Sequence, residues 1–170
     1  DAIRTGPSAF RITEDADGNP VLHSPGDYNV LVPGHRDLEA RGSALDAAGV
    51  DAQVITFTAP GTSIETPERA AELARIINDG LAAGRDAYPG RYFPLGHLPL
   101  NNPTAAAVEF DRVIGELGMA VAMLFSNASG VPLADERFWP IYERANDAGS
   151  VIYIHPTYPL GVAAMEDYML

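Results

Sequence analysis

A regular succession of apolar strands and amphipathic helices, from residue 36 onward, is the feature that most constrains this fold. Four segments are predicted to be strands, at about 50–57, 91–99, 119–126 and 151–155. They are apolar through most of their length, as expected when both faces of a parallel sheet are buried. Strands that alternate with helices predict β/α units and a parallel sheet.

The helices between these strands carry start and stop signals. Residues 37–48 form the first helical pattern. Thr66 is the predicted N-cap of the second helix, with Pro67 at the first position, where the missing N–H costs no hydrogen bond. Pro103 opens the third helix and Asp135 caps the fourth. Each β/α unit is therefore delimited by the sequence itself.

Two architectures fit this pattern, a doubly wound sheet and an arc of a (β/α)₈ TIM barrel. No Gly-rich phosphate loop follows any strand, which argues against a dinucleotide-binding sheet. A complete barrel usually needs about 250 residues, with about 200 as the lower bound, and this chain has 170. The chain also begins without Met, and a helical pattern at 162–170 runs to its last residue. We therefore expect part of an α/β barrel.

Residues 1–34 differ from the rest of the chain. Turn signals follow one another closely there, at Gly6-Pro7, Asp17-Gly18, Pro25-Gly26 and Pro33-Gly34. We expect an irregular inserted segment with a short hairpin around Asp17-Gly18. Residues 35–170 then hold the β/α units, and residues 1–170 together are predicted to be one domain.

Composition excludes several functions. Lys and Arg number 11 and Asp and Glu 23, a net charge of −12, which argues against binding to nucleic acid or to an anionic membrane. No apolar run approaches the roughly 20 residues of a membrane span, and no leader peptide is visible. The absence of cysteine excludes thiolate ligands and nucleophiles. It is compatible with a cytoplasmic location.

His155 is the strongest candidate for chemistry. It follows a predicted strand directly and is itself followed by Pro156. In a barrel this position is the carboxyl-terminal rim, where catalytic residues lie. One ring nitrogen would be free to bind a metal while the other donates a hydrogen bond. A hydrogen-bonded histidine at a strand end is the alternative, because no HxH or HxxxH pattern accompanies His155.

Other candidates lie at strand ends or in the first segment. The candidate substrate-binding residues are Arg11, Phe57, His97, Phe125 and Asn127. The arginine would grip a carboxylate, the asparagine would supply an amide, and the two phenylalanines would wall an aromatic or unsaturated substrate. His97 would contact the substrate from the barrel mouth. Core packing is the alternative for both phenylalanines, and a core or rim position with a backbone partner is the alternative for the histidine.

Several stretches together resemble the amidohydrolase-related metal-dependent decarboxylases, a family that includes aminocarboxymuconate-semialdehyde decarboxylase and γ-resorcylate decarboxylase. They comprise DLEARGSALDAAGV and DAQV at 37–54, residues 74–118 with the Asn78-Asp79 pair, residues 127–161 with strand-His-Pro, and AMEDYML at 164–170. Each motif alone is weak. Their order and spacing over about 130 residues make the resemblance specific.

The resemblance implies a (β/α)₈ barrel with a divalent metal, usually zinc and in some cases manganese, at its carboxyl-terminal rim. The family holds this metal with an H-x-H pair after the first strand, the strand-His-Pro histidine and an aspartate after the last strand. Only the strand-His-Pro histidine has a counterpart here, His155. The visible strands would be the second to the fifth, and the acid/base residues would lie outside the chain.

Two functional hypotheses follow. The first is a metal-dependent decarboxylase or hydrolase that acts on a small aromatic or unsaturated carboxylic acid. The second is a non-catalytic half-barrel that needs a complementary chain. In either case we expect other polypeptide, either the remainder of the same barrel or a second copy, to cover the open sheet edges.

Overall fold

A computed structural model describes residue 3, residues 6–25 and residues 27–157 of the chain. The described residues divide into two compact units, residues 1–55 with 83–93, and residues 56–82 with 94–170. The helical pattern predicted at 162–170, and the AMEDYML stretch, lie outside the described residues. The prediction of a single domain stays a prediction.

The first unit opens with a three-stranded antiparallel sheet. Its strands are β1 (Arg11–Glu14), β2 (Pro20–Ser24) and β3 (Asp27–Val30), in that order. In the β1–β2 pair, Glu14 lies opposite Pro20. The turn expected around Asp17-Gly18 lies between these two residues and closes the hairpin. The segment is thus more regular than the sequence predicted. The strands have four or five residues each and bury few side chains, so their alternation of apolar residues was too weak to detect.

Two helices and a strand pair follow this sheet. The elements are α1 (Pro33–Arg36), α2 (Leu38–Ala47), β4 (Gln53–Ile55) and β5 (Tyr92–Pro94), with β4 and β5 forming a two-stranded sheet. Arg91 donates hydrogen bonds to the carbonyls of Val50 and Asp51. Residues 50 and 51 are held by this guanidinium rather than by a sheet ladder, and the strand predicted at 50–57 is reduced to three residues.

The second unit contains a parallel sheet. Its order is β10–β7–β6, comprising β6 (Gly96–His97), β7 (Val121–Phe125) and β10 (Val151–His155). Each strand lies beside the one that precedes it in the chain, as expected for an arc of a barrel and not for a sheet with a switch point. The strand predicted at 91–99 is divided at Leu95, next to Pro94, which has no N–H to donate to a ladder.

Helices and short turns link these strands. The remaining elements are α3 (Pro67–Ala87), α4 (Pro103–Asp111), a π turn (Arg112–Glu116), β8 (Asn127–Ala128), β9 (Val131–Pro132), a 3₁₀ turn (Glu136–Phe138), α5 (Trp139–Ala148) and a 3₁₀ turn (Thr62–Ile64). Thr66 accepts from the N–H of Arg69 at the start of α3, as its predicted capping role requires. None of the described helices is both long enough and apolar enough to cross a membrane.

The parallel sheet has two distinct faces. Ala122 and Leu124 point to the side covered by α4 and α5 and belong to the main core with Phe110 and Ile141. Met123 and Phe125 alternate with them and therefore point to the opposite side, where they pack with Leu95. We call this second side the inner face.

Burial on both sides was predicted for all four strands, and the structure corrects this for three of them, including the strand at 91–99, where Phe93 of β5 is 51% exposed. Val54 of β4 is 60% exposed, and Val151 and Ile154 of β10 are 60% and 57% exposed. Among the described residues, β10 has a neighbouring strand on one side only. Val151 and Ile154 are therefore uncovered in the part of the molecule that the structure describes, whereas Ile152 packs against the main core.

Candidate functional site

The candidate site lies at the carboxyl end of the inner face. His97 is the register partner of Met123, and His155 is the register partner of Phe125. Register partners in a parallel sheet project their side chains to the same side, so both histidines share the inner face with Phe125. Ser126 extends the ladder by donating its N–H to the carbonyl of His155 at 2.9 Å. Three candidates that lie far apart in the sequence are thereby assembled.

Four of the predicted residues form a continuous row of rings. The ring centroids of Phe57 and His97 are 5.2 Å apart, those of His97 and Phe125 6.1 Å, and those of Phe125 and His155 5.7 Å. All three contacts are edge-to-face, the arrangement that aromatic rings prefer. His97 and Phe125 are the two inner rings of the row, and Phe125 contacts both histidines.

His155 has the proton arrangement of a metal ligand. Its Nδ1 lies 2.6 Å from the carbonyl oxygen of Pro156. A carbonyl only accepts, so Nδ1 carries a proton, and in the neutral ring the lone pair is then on Nε2. Metal-binding histidines typically donate their other ring N–H to a carbonyl or carboxylate in this way. The chemistry of this donor therefore fits a divalent cation at Nε2.

One histidine does not complete a metal site. Among residues 6–25 and 27–157, no group of three His, Asp or Glu side chains is placed to hold a metal ion. Tetrahedral zinc sites need three or four protein ligands. His155 can therefore be one ligand of a set whose other members are not among the described residues.

His97 is buried, with 1% of its surface exposed. Thr62 donates its backbone N–H to Nε2 at 3.2 Å, and the Thr62 hydroxyl lies 2.9 Å from the same nitrogen. Burial lowers the pKa of His97 to about 4, because the charged imidazolium would be desolvated. The imidazole is therefore neutral near pH 7.

The segment 56–62, which we call the 56–62 loop, packs on the inner face. At one end the Thr56 hydroxyl donates to the sulfur of Met123 at 2.8 Å. At the other end Gly61 has a φ of 69°, in the left-handed region that favours glycine. A Cβ on Gly61 would overlap the ring of Phe125 and lie 3.1 Å from Cε1 of His97. The close contact between loop and rings therefore requires glycine at this position.

A buried polar network holds the backbone of His97 from the other side. The Asn78 amide donates to the His97 carbonyl at 2.8 Å and accepts from the His97 N–H at 2.7 Å. Asn78 also donates to Glu109 at 2.7 Å, and Glu109 is bound by Arg112 at 2.7 and 2.9 Å. Hydrogen bonding to Glu109, and then to Asp79, raises the pKa of Arg112 above its ordinary value.

The structure places the remaining two candidates differently. Asn127 lies on β8, next to the row of rings in sequence, and its side-chain oxygen accepts from the N–H of Gly130 at 3.1 Å. Arg11 lies on β1 in the first unit and is exposed, whereas the other five candidates belong to the second unit.

Sequence reasoning missed several residues that build this site. Thr62 and Gly61 were not among the candidates, and no pattern in the sequence singles them out. Glu109 was not distinguished from other helical carboxylates, although it is 3% exposed. Asn78 was the exception, since the Asn78-Asp79 pair was one of the motifs on which the resemblance rested.

Comparison with known proteins decides the family. A family model described as Amidohydrolase matches residues 15–168. The chain belongs to the Amidohydrolase family. This confirms the resemblance identified in the sequence, and together with the strand order it agrees with part of a (β/α)₈ barrel.

Similar proteins of known name are decarboxylases. This amidohydrolase chain is 32% identical over 135 residues to 2-amino-3-carboxymuconate-6-semialdehyde decarboxylase of Dictyostelium discoideum, covering 79% of the chain and 38% of that protein. It is 33% identical over 129 residues to γ-resorcylate decarboxylase of a Polaromonas species, covering 72% of the chain and 40% of that protein.

A solved structure is similar in fold. The 5-carboxyvanillate decarboxylase of Novosphingobium aromaticivorans, with bound manganese and 3-methoxy-4-hydroxy-5-nitrobenzoic acid, matches with a TM-score of 0.73 and 29% identity. The match covers 77% of this amidohydrolase chain and 38% of that structure. The chain therefore spans about two fifths of the length of these relatives.

Proposed function

We propose that the full-length protein is a metal-dependent decarboxylase of a small aromatic carboxylic acid. The observation that carries the proposal is His155, whose Nδ1 is engaged by the Pro156 carbonyl so that Nε2 is available at the inner face. The decarboxylase relatives support the reaction type. In this reaction the bond between ring and carboxylate breaks, carbon dioxide leaves, and a proton is added to the ring carbon.

A divalent cation would bind Nε2 of His155 together with ligands from beyond the described residues. When bound, it would act as a Lewis acid that polarises oxygen atoms of the substrate. Zinc is the metal that the sequence resemblance favours, and manganese is the metal bound in the similar solved structure. Metal analysis of the purified protein distinguishes them.

The residues around His155 suit an aromatic substrate. Phe57 and Phe125 would wall its ring, and Asn127 would supply an amide to the substrate. That Arg11 grips the carboxylate stays a prediction, because Arg11 belongs to the first unit. The sequence suggested that His97 contacts the substrate, but we assign it a different role. The residue is 1% exposed, and the N–H of Thr62 donates to its Nε2. We propose that His97 is a positioning residue, which packs against Phe125 and does not contact the substrate itself.

The same proposal extends to the architecture. The strands of this chain would be the second to the fifth of the barrel, and residues 1–34 an insertion before the second strand. The remainder of the barrel, or a second copy of the chain, would cover the exposed edge at β10. A cytoplasmic location belongs to the same proposal and can be tested by cell fractionation.

The proposal is tested by assaying the full-length protein for carbon dioxide release. We choose γ-resorcylate and 5-carboxyvanillate as probes, with zinc or manganese supplied. Release of carbon dioxide from either, abolished by a chelator and restored by metal, is the expected result. Hydrolysis of an ester or lactone without decarboxylation would favour the hydrolase alternative. Absence of both activities from the metal-loaded protein would favour a non-catalytic role.

A further inference from the structure

The Thr62–His97 contact joins the 56–62 loop to the inner face at a point that no assigned function uses. Both side chains are buried, Thr62 with none and His97 with 1% of its surface exposed. The loop between Thr56 and Thr62 carries Phe57, one of the rings in the row. Its far end lies against Phe125, which touches His155. The contact therefore lies beside the rings that connect the loop to the candidate metal ligand.

The hydrogen bond determines which nitrogen of His97 carries the proton. The N–H of Thr62 only donates, so Nε2 must accept and cannot be protonated. The proton of the neutral ring is then on Nδ1, which has no hydrogen-bond partner among the described residues. A protonated ring would lose the acceptor at Nε2 and would place a charge among Phe57, Phe125 and Met123. The apolar surroundings of His97 thus favour the neutral ring, and within that ring the Thr62 N–H selects the form whose proton is on Nδ1.

We propose that His97 is a positioning residue that anchors the 56–62 loop by accepting the Thr62 N–H at Nε2, and so fixes Phe57 and Phe125 around the substrate site. Asn78 holds the backbone of His97 at 2.7 and 2.8 Å, so the anchor is rigid. The inference rests on the proposed function only for the identity of the substrate. The anchoring itself is a property of this chain.

Hydrogen exchange on the full-length protein measures the anchor directly. In His97→Leu the acceptor is gone, and we expect exchange of the amide hydrogens in a 61–64 peptide to rise about tenfold, as loss of one hydrogen bond implies. His97→Gln is the matched control, because its Oε1 can take the place of Nε2, and it should stay within about threefold of the wild type. Exchange in residues 121–125 should be unchanged in both variants.

A substrate readout separates positioning from general damage. With γ-resorcylate as the probe, His97→Leu should raise KM at least fivefold with metal content unchanged, and His97→Gln should restore it. Equal exchange in wild type and His97→Leu, or equal damage in the Leu and Gln variants, overturns the inference. If the probe is not decarboxylated at all, the proposed function fails, while the exchange result still decides the anchor.

The protonation state can also be read without any substitution. In ¹⁵N-histidine spectra of the wild type, His97 should show a protonated Nδ1 and an unprotonated Nε2 at pH 7. A protonated Nε2 contradicts the proposed hydrogen bond even if the Leu variant fails to fold.

Discussion

Asn78 pairs its side-chain amide with both backbone groups of His97, donating to the carbonyl at 2.8 Å and accepting from the N–H at 2.7 Å. A side chain from helix α3 thus satisfies the backbone N–H and C=O of His97, as a neighbouring strand would on that side of β6. The same amide donates to Glu109, whose charge is balanced by Arg112. The position of β6 therefore depends on a buried ion pair in the helical layer.

The first prediction concerns this ion pair. Glu109 and Asp79 both bind Arg112, but the Glu109 side chain is 4% exposed and the Asp79 side chain 59%. Glu109→Gln should lower the free energy of unfolding by about 3 kcal/mol, because a buried guanidinium loses its main counter-charge. Asp79→Asn, the matched control, should cost less than about 1 kcal/mol. Urea unfolding of both variants checks this. Equal losses of unfolding free energy in the two variants would contradict the prediction that the buried partner matters more.

The second prediction concerns His155. His155→Ala should reduce bound metal and turnover together in the full-length protein, while the circular dichroism spectrum stays that of the wild type. The loss should exceed the roughly 10- to 100-fold that removal of an outer-shell partner of a metal ligand costs. Tyr153→Ala, two residues away on the same exposed strand, is the control and should keep its metal. Full metal occupancy in the His155 variant would show that His155 is not a metal ligand but only a hydrogen-bonded histidine at a strand end.

The third prediction concerns pH. The pKa of His97 is about 4 in the folded state, below its ordinary value of 6.5. Between these values the unfolded chain binds a proton that the folded chain does not, so stability falls as pH falls from about 6.5 to about 4. This group accounts for about 3 kcal/mol over that window. His97→Gln should lose that part of the pH dependence. Urea unfolding of both proteins at pH 7 and pH 4.5 measures this. If the free energy of unfolding falls by the same amount in the wild type and in His97→Gln, the assignment is wrong.

The fourth prediction concerns Gly61. Gly61→Ala forces a Cβ into the ring of Phe125 at a φ of 69°, so we expect a loss of about 2–4 kcal/mol from backbone strain and overlap. Gly80→Ala is the control, since Gly80 lies in α3 with nothing within 4 Å of the added Cβ. That variant should be neutral or more stable by about 0.5–1 kcal/mol. Thermal unfolding of both variants measures the difference.

The fifth prediction concerns the edge at β10. A polypeptide of these 170 residues should associate in light scattering, because an unpaired edge with exposed apolar side chains templates pairing. Ile154→Lys should reduce the association. Val108→Lys changes an equally exposed side chain, 58% against 57%, on helix α4 and should not. A stable monomer of the unmodified chain would refute the prediction.

Much of the local structure followed from the sequence. The strand 151–155 has the predicted bounds, and Thr66 and Pro67 start α3 as expected. These features depend on residues close together in the chain, on strand propensity, a capping hydroxyl and the fixed φ of proline. The position of His155 after a strand and before a proline belongs to the same class, and it was enough to single out the residue.

The tertiary structure alone decided which contacts the candidate residues make. The sequence identified His97 but not Thr62, which is 35 positions away and whose N–H determines the ring's proton. It suggested walls of phenylalanine but not the 5.7 Å contact of Phe125 with His155, nor the glycine that this packing requires. Hydrogen-bond direction and ring packing depend on the register of β6, β7 and β10 and on the path of the 56–62 loop. Such long-range geometry has no local signature, whereas the alternation of strands and helices is determined along the chain itself.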